Sequence, residues 1–378
     1  MTVFNCSLDE LRQRTSIKWT RFAPDVLPMF VAEMDCRVPG PVAEAISSAV
    51  ARGDLGYPEQ PTYQLAYADF ALWRWGWSPD VGLIERTGDV MQGMRYTMEA
   101  VSRPGDKVVF NPPIYPPFRQ IVERTGRVGV EVPLVAGRLD LAGLERAFAS
   151  GASVYLLCSP HNPTGTVHTR DELLAVADLA RQYSVVVIVD EIHSLLNGDE
   201  FTPYLALPDP GVSFVSVSAA KAFNLAGIKA GLLVASPQGE PVLRRLPSYV
   251  AEAMSHLGAI AHTAALRHCR DWLVQMAGEI VENKRLFARL IAEQLPQLSY
   301  TPSAGTYLAW LDCTPLGLRH PGMFFHDEAR VRFNFGAEFA ADTQQWVRVN
   351  LATSREIIEE ALRRVSATVV HASAYPSL

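Results

Sequence analysis

Three short apolar runs in the middle of the chain each end in polar residues of a kind that could do chemistry. Ser153–Cys158 runs into Ser159-Pro-His-Asn-Pro-Thr-Gly165, Val185–Val189 into Asp190-Glu-Ile-His193, and Ser213–Val217 leads through Ser218-Ala-Ala to Lys221. Continuous apolar runs of this kind read as buried parallel strands, and in open α/β sheets ligands gather beyond the carboxyl ends of such strands. The three together would deliver an amide (Asn162), a carboxylate (Asp190), an imidazole (His193) and an amine (Lys221) to one rim. A pyridoxal cofactor uses this set. The amine condenses with its aldehyde, and a carboxylate keeps the pyridine nitrogen protonated so that the ring accepts the electron pair left when a bond at Cα breaks. The amide and the imidazole can hydrogen-bond the phenolic oxygen. Taken singly, Asn162 reads as a turn residue between two prolines and Asp190 as a strand-end cap. Lys221 is different, because the apolar stretch Val215–Ala220 before it and the turn Ala222-Phe-Asn-Leu-Ala-Gly227 after it are no setting for a solvated surface lysine.

The elements that must hold these residues can be read from the pattern around them. Lys107–Phe110, Ser153–Cys158, Val185–Val189 and Ser213–Val217 are apolar runs, and Asp171–Tyr183 is a helical stretch among them. Strands separated by helices signal a mainly parallel sheet covered on both faces, an α/β domain. Ala230–Ala235 is expected to pair antiparallel with the strand before Lys221. Pro41–Arg52 reads as a helix with Val42, Ala45, Ile46 and Val50 on one face, broken by Gly53-Asp-Leu-Gly-Tyr-Pro58. A largely helical stretch covers Pro241–Leu295. Short strands at Thr306–Leu311 and Trp346–Asn350, with a helix over Ser354–Val365, predict a separate α+β domain. The run Leu27-Pro-Met-Phe-Val-Ala32 has no place in the central sheet and is expected to pack with that second domain. The alternating Trp73, Trp75 and Trp77 read as packing or a contact between copies, in a stretch that follows a helix.

Length and composition bound the rest. A chain of 378 residues suits one large domain plus a smaller one, and 48% hydrophobic against 20% charged residues is ordinary globular composition. The net charge of -6 and the lack of a Lys/Arg block give no footprint for nucleic acid. No apolar run approaches membrane-spanning length, and Met1–Glu10 has no basic region followed by an apolar stretch, so a cytoplasmic protein is expected. Cys6, Cys36, Cys158, Cys269 and Cys313 form no CxxC pair and read as reduced packing residues, while the spacing of His256, His262 and His268 fits no metal site. No dinucleotide fingerprint or Walker loop is present.

Over nearly its whole length the chain resembles the PLP-dependent class I/II aminotransferases of fold type I, and within them the cystathionine β-lyase or cysteine C–S lyase branch. The resemblance rests on Leu27-Pro-Met-Phe-Val-Ala-Glu-Met-Asp35, Asn111-Pro-Pro-Ile-Tyr-Pro-Pro-Phe118, Ser159–Gly165, Asp190–His193, Lys221-Ala-Phe-Asn-Leu-Ala-Gly227, Ala304–Asp312 and Arg348–Ala352. His193 carries the branch assignment, since ordinary aminotransferases usually have Tyr there. The family fold is a mainly parallel seven-stranded sheet sandwiched by helices, plus a smaller α+β domain. It implies an N-terminal segment 1–45 packing with the small domain, a large PLP-binding domain 46–275 and a small domain 276–378.

Carried over by motif, the resemblance implies that Lys221 holds pyridoxal 5'-phosphate and shuttles the Cα proton. It implies that Asp190 pairs with the pyridinium nitrogen, that Asn162 and His193 bond the phenolic oxygen, and that Tyr115 stacks on the ring. Phosphate binding falls to the amides near Val90 and Met91, to Ser218 and to Lys229, with Tyr57 reaching across from the other subunit of a homodimer. Arg348 takes the substrate carboxylate, and Ala32 and Glu33 border the substrate. Glu33 stands where the branch usually has Asp, Ala222 where it has Ser or Thr, and Leu195 where it often has Asp. The implied activity is β-elimination from a small amino acid, cleaving the C–S bond of cystathionine or a cysteine S-conjugate to thiol, pyruvate and ammonia. Transamination of a small amino acid, and cyclisation or oxidative chemistry of specialised metabolism, are the alternatives. A non-catalytic PLP-fold binding module is the reading from another class; it lacks support from any basic helix-turn-helix head.

Overall fold

The computed structural model describes residues 2–374. Two compact units emerge: Val38–Asn162 with Thr166–Leu273, and Met1–Arg37 with Pro163–Gly165 and Val274–Leu378.

The larger unit is built on a seven-stranded sheet in the order Ile84–Thr87, Gly231–Ala235, Ser213–Val217, Val186–Asp190, Ala152–Cys158, Lys107–Phe110 and Val128–Glu131. The strands from Ser213–Val217 to Val128–Glu131 run parallel, and Gly231–Ala235 pairs antiparallel with both of its neighbours. Every residue of Ser213–Val217 and of Gly231–Ala235 is buried, as continuous apolar runs require in a sheet covered on both faces. One face packs Val90, Met94 and Met98 of the helix Val90–Val101 against Val108, Val154, Ile188, Phe214 and Leu233 of five strands. The edge strands Ile84–Thr87 and Val128–Glu131 are not legible as apolar runs, because the first carries Glu85 and Arg86 and the second is largely exposed.

The parallel strands have a topological switch. The chain passes from Lys107–Phe110 outward to Val128–Glu131, then returns to the opposite side of Lys107–Phe110 and adds Ala152–Cys158, Val186–Asp190 and Ser213–Val217 in turn. A crevice forms beyond the carboxyl ends where strand order reverses, and ligands of open sheets settle there.

In the smaller unit Trp346–Asn350 pairs antiparallel with Leu308–Asp312 and with Asn334–Phe335. Leu27–Pro28 pairs in parallel with Val331–Arg332, which gives the amino-terminal run the place expected outside the central sheet. Leu286, Phe287 and Ile291 pack with Leu311, Val347, Val349, Ile358 and Leu362. The strand read as Thr306–Leu311 starts only at Leu308, because Thr306 takes φ 57°, in the left-handed region. The last helix begins at Arg355 and runs on to Ala374 rather than stopping at Val365. Trp73 and Trp75 do not follow a helix but lie in the last turn of Thr62–Trp75, where Gly76 at φ 66° ends it. All five cysteines are buried and free. Among the described residues no helix is long and apolar enough to cross a membrane.

Candidate active site

Three strand ends in the larger unit are kept in line by backbone bonds that continue past the strands. Ser159 N–H donates to the Asp190 carbonyl at 2.9 Å, and Glu191 N–H donates to the Ser216 carbonyl at 3.0 Å. The loop after Lys107–Phe110 is tied to the same rim through Asn111. That side chain accepts from the Tyr155 hydroxyl at 2.6 Å and donates to the Val132 carbonyl at 2.9 Å, and its own carbonyl is 3.2 Å from His161 Nε2. Burial pushes the His161 imidazole down to about 3, so the ring is neutral and donates there. Asn111 was legible as part of a motif, but its work as the fastener between two loops was not.

Asp190 ends its strand with its side chain buried. Burial pushes its carboxyl up to about 7, against the opposing pull of the Ile192 amide, at 3.0 Å, and of the Lys221 charge. Glu191 beside it is also buried and pushed up to about 8, although the Tyr204 amide donates to it at 2.9 Å. A buried carboxylate with so little compensation gains most from a fixed cation. A protonated pyridine nitrogen is such a cation, so the donor set fits the pyridoxal ring.

Asn162 and His193 are likewise buried, and Tyr115 is 36% exposed. Lys221 is half-buried on the turn that follows Ser213–Val217. Ser218 donates to the Ala230 carbonyl at 2.6 Å across the base of that turn. Val90 and Met91 open the helix Val90–Val101, whose cap is Asp89 accepting from the Gln92 amide at 2.9 Å. Lys229 Nζ stands 3.0 Å from Asp89, a partner that sequence reasoning missed although Asp before an apolar helix is a cap signal. Tyr57 is 85% exposed and borders a surface cavity of about 620 Å³ together with Arg86, Ser248 and Glu252.

The model of the aminotransferase class I and II family matches residues 88–365. The chain belongs to the class I and II aminotransferases. A Mycobacterium leprae protein, provisionally named a cystathionine beta-lyase, is 42% identical over 391 residues, 97% of this chain and 97% of its own. The cystathionine beta-lyase of Corynebacterium glutamicum is 33% identical over 368 residues, 96% of this chain and 99% of its own. A crystal structure from Corynebacterium diphtheriae, provisionally named a PLP-dependent beta-cystathionase, superposes with a TM-score of 0.93 at 33% identity, covering 98% of this chain and 99% of that one. The mainly parallel sheet with its antiparallel Gly231–Ala235 is thus the sheet of a fold-type-I member of this family.

In the smaller unit of this aminotransferase-family chain, Arg348 is buried on Trp346–Asn350. It donates to the Phe30 carbonyl at 3.0 Å and to the Asn334 side chain, and its guanidinium lies 4.9 Å from the Phe339 ring centroid. The segment Phe30–Glu33 has no regular structure, yet each of its carbonyls is taken by a side chain. Asn350 donates to Val31 at 2.7 Å and to Glu33 at 2.6 Å, and the Tyr307 hydroxyl donates to Ala32 at 3.0 Å. Lys18 adds a bond to the Glu33 carbonyl at 3.2 Å while forming a buried ion pair with Asp35 at 2.7 Å. The Glu33 carboxylate accepts from the Ser16 hydroxyl at 2.7 Å.

Proposed function

We propose that this protein is a PLP-dependent carbon–sulfur lyase that cleaves cystathionine or cysteine S-conjugates to thiol, pyruvate and ammonia. What carries the reading is the buried Asp190 carboxyl facing the Lys221 charge at a strand end, in a chain alike over 96% of its length to a cystathionine beta-lyase. When bound, pyridoxal phosphate supplies an aldehyde to the amine and a protonated ring that accepts the electron pair released at Cα.

The chain's own residues do the rest. Lys221 holds the cofactor, then as a free amine takes the proton from the substrate Cα. Asp190 keeps the ring nitrogen protonated. Asn162 and His193 hold the phenolic oxygen, and Tyr115 covers the ring face. The amides of Val90 and Met91, at a helix start, suit the phosphate together with Lys229, and the Ser218 hydroxyl would join them by turning its one proton from the Ala230 carbonyl. Arg348 is the proposed fork for the substrate carboxylate, and Ala32 and Glu33 the proposed neighbours of its side chain. The Cβ–S bond then breaks with its pair on sulfur, and one water completes the conversion to pyruvate and ammonia. The active unit is proposed as a homodimer in which Tyr57 of one protomer completes the site of its partner.

The test is to incubate the PLP-loaded protein with cystathionine and several S-alkyl cysteines without a keto-acid acceptor, and to assay thiol, pyruvate and ammonia together. Equal amounts of all three are expected. Absence of pyruvate with conversion of the bound cofactor to its aminated form would replace lyase by aminotransferase.

A further inference from the structure

The turn that carries Lys221 leaves the sheet at Ser218 and returns at Ala230, and only part of it has regular backbone bonds. Asn224 within it sits at φ 56°. Its base is closed by Ser218, which donates to the Ala230 carbonyl at 2.6 Å and accepts from the Ala220 amide at 3.1 Å. A second bridge comes from two helices outside it. The Ala219 amide donates to the Tyr63 hydroxyl at 3.2 Å. That hydroxyl is 3.1 Å from His262 Nδ1, and His262 Nε2 is 3.2 Å from the Ile228 carbonyl.

The Ile228 carbonyl fixes the direction of the histidine end of this bridge. A carbonyl oxygen only accepts, so Nε2 carries the imidazole proton. Burial pushes the His262 imidazole down to about 4, so Nδ1 is bare and accepts from Tyr63. The Tyr63 hydroxyl keeps its proton and donates to His262, while its oxygen accepts from the Ala219 amide and lies within reach of the Ser218 hydroxyl. Tyr63 is 1% and His262 0% exposed, with ring centroids 5.3 Å apart in edge-to-face packing. Tyr63 stands in the first turn of Thr62–Trp75 and His262 in the middle of His256–His268. Residues 219 and 228 are thereby joined on either side of Lys221 by groups that make no part of the cofactor set.

We propose that Tyr63 and His262 are positioning residues for Lys221, a one-way relay that fixes the turn from which the lysine amine works. This rests on the assignment of Lys221 as the cofactor lysine. A buried polar chain costs stability unless each member is satisfied, and when satisfied it selects one arrangement. Here the arrangement selected is the height and tilt of the lysine turn, and a catalytic amine displaced by a fraction of an ångström loses rate.

The experiment uses the PLP-loaded full chain. Borohydride reduction and peptide mapping first locate the cofactor in the wild type. Tyr63→Phe, His262→Phe and His262→Gln are then compared for amide exchange in peptides covering residues 218–230 and for kcat and KM with cystathionine. In the two Phe variants exchange is expected to rise, and kcat to fall, by on the order of tenfold, with KM held within about twofold. His262→Gln, whose amide offers a donor and an acceptor at similar separation, is expected to return both toward wild type. If a Phe variant does not fold, His262→Asn, which keeps the polarity but shortens the reach to Ile228, is held to the same expectation. Unchanged exchange, or raised exchange with unchanged kcat, overturns the relay alone. A reduced adduct on another lysine overturns the cofactor assignment beneath it.

Discussion

Asp190 is unfavourable to the empty fold through its burial, and its proposed pairing with the ring cation would make it favourable to the filled one. Its carboxyl is pushed from 3.8 up to about 7, chiefly by burial. Between those two values the native state keeps a proton that the unfolded chain has lost, so the stability of the cofactor-free protein falls as pH rises through that interval. Asp190→Asn has no charge to bury. The cofactor-free variant is therefore expected to match wild type near pH 4 and to exceed it by a few kcal/mol, to order of magnitude, at pH 8, measured by denaturant melts. Pyridoxal phosphate should reverse the ranking, because the ring cation favours the ionised carboxylate and an amide cannot keep the ring nitrogen protonated. At Arg348 the expected outcome is kinetic. Arg348→Lys keeps the charge but loses the planar fork, so KM for cystathionine should rise by roughly ten- to a hundredfold while bound-cofactor absorbance is unchanged.

At the scale of elements, the helix Val90–Val101 is set against the sheet by a glycine. A Cβ at Gly93 would lie 2.7 Å from Ser216 Oγ and 3.3 Å from Thr87 Cγ2. Ser216 Oγ also donates to the Val90 carbonyl at 3.0 Å, so the helix start and the strand beside it share one fastening. Gly93→Ala is expected to cost about 1–3 kcal/mol in a denaturant melt and to weaken pyridoxal phosphate binding, because the helix start must move to admit the methyl group. The sequence made the buried strands readable, since Lys107–Phe110 and Ser213–Val217 are apolar on both faces and bounded by polar residues. Ile84–Thr87 escaped because Glu85 and Arg86 break its apolar run at the sheet edge. Asp190 stood out as the residue that ends its strand, and Lys221 as a lysine on the turn after an apolar strand. The Tyr63–His262 bridge did not, because it joins residues 199 apart whose types also suit an ordinary core.

At the scale of the whole molecule the exposed Tyr57 sets the expectation. If it completes the site of a second copy, two inactive variants should complement each other. Lys221→Ala mixed in equal amounts with Tyr57→Ala, unfolded and refolded together, should recover roughly a quarter of wild-type activity, since half the dimers are mixed and each holds one intact site. Activity no greater than the sum of the separate variants would remove Tyr57 from the partner's site.

The segment Phe30–Glu33 is sutured through its carbonyls, by Arg348, Asn350, Tyr307 and Lys18. Every residue type carries that carbonyl, so what fastens the segment is indifferent to what its side chains are. Shape and chemistry are then inherited separately. Glu33 in place of the branch's usual Asp changes the reach of a carboxylate without loosening a stitch, and the pair Ala32 and Glu33 becomes an exchangeable label on a permanent frame.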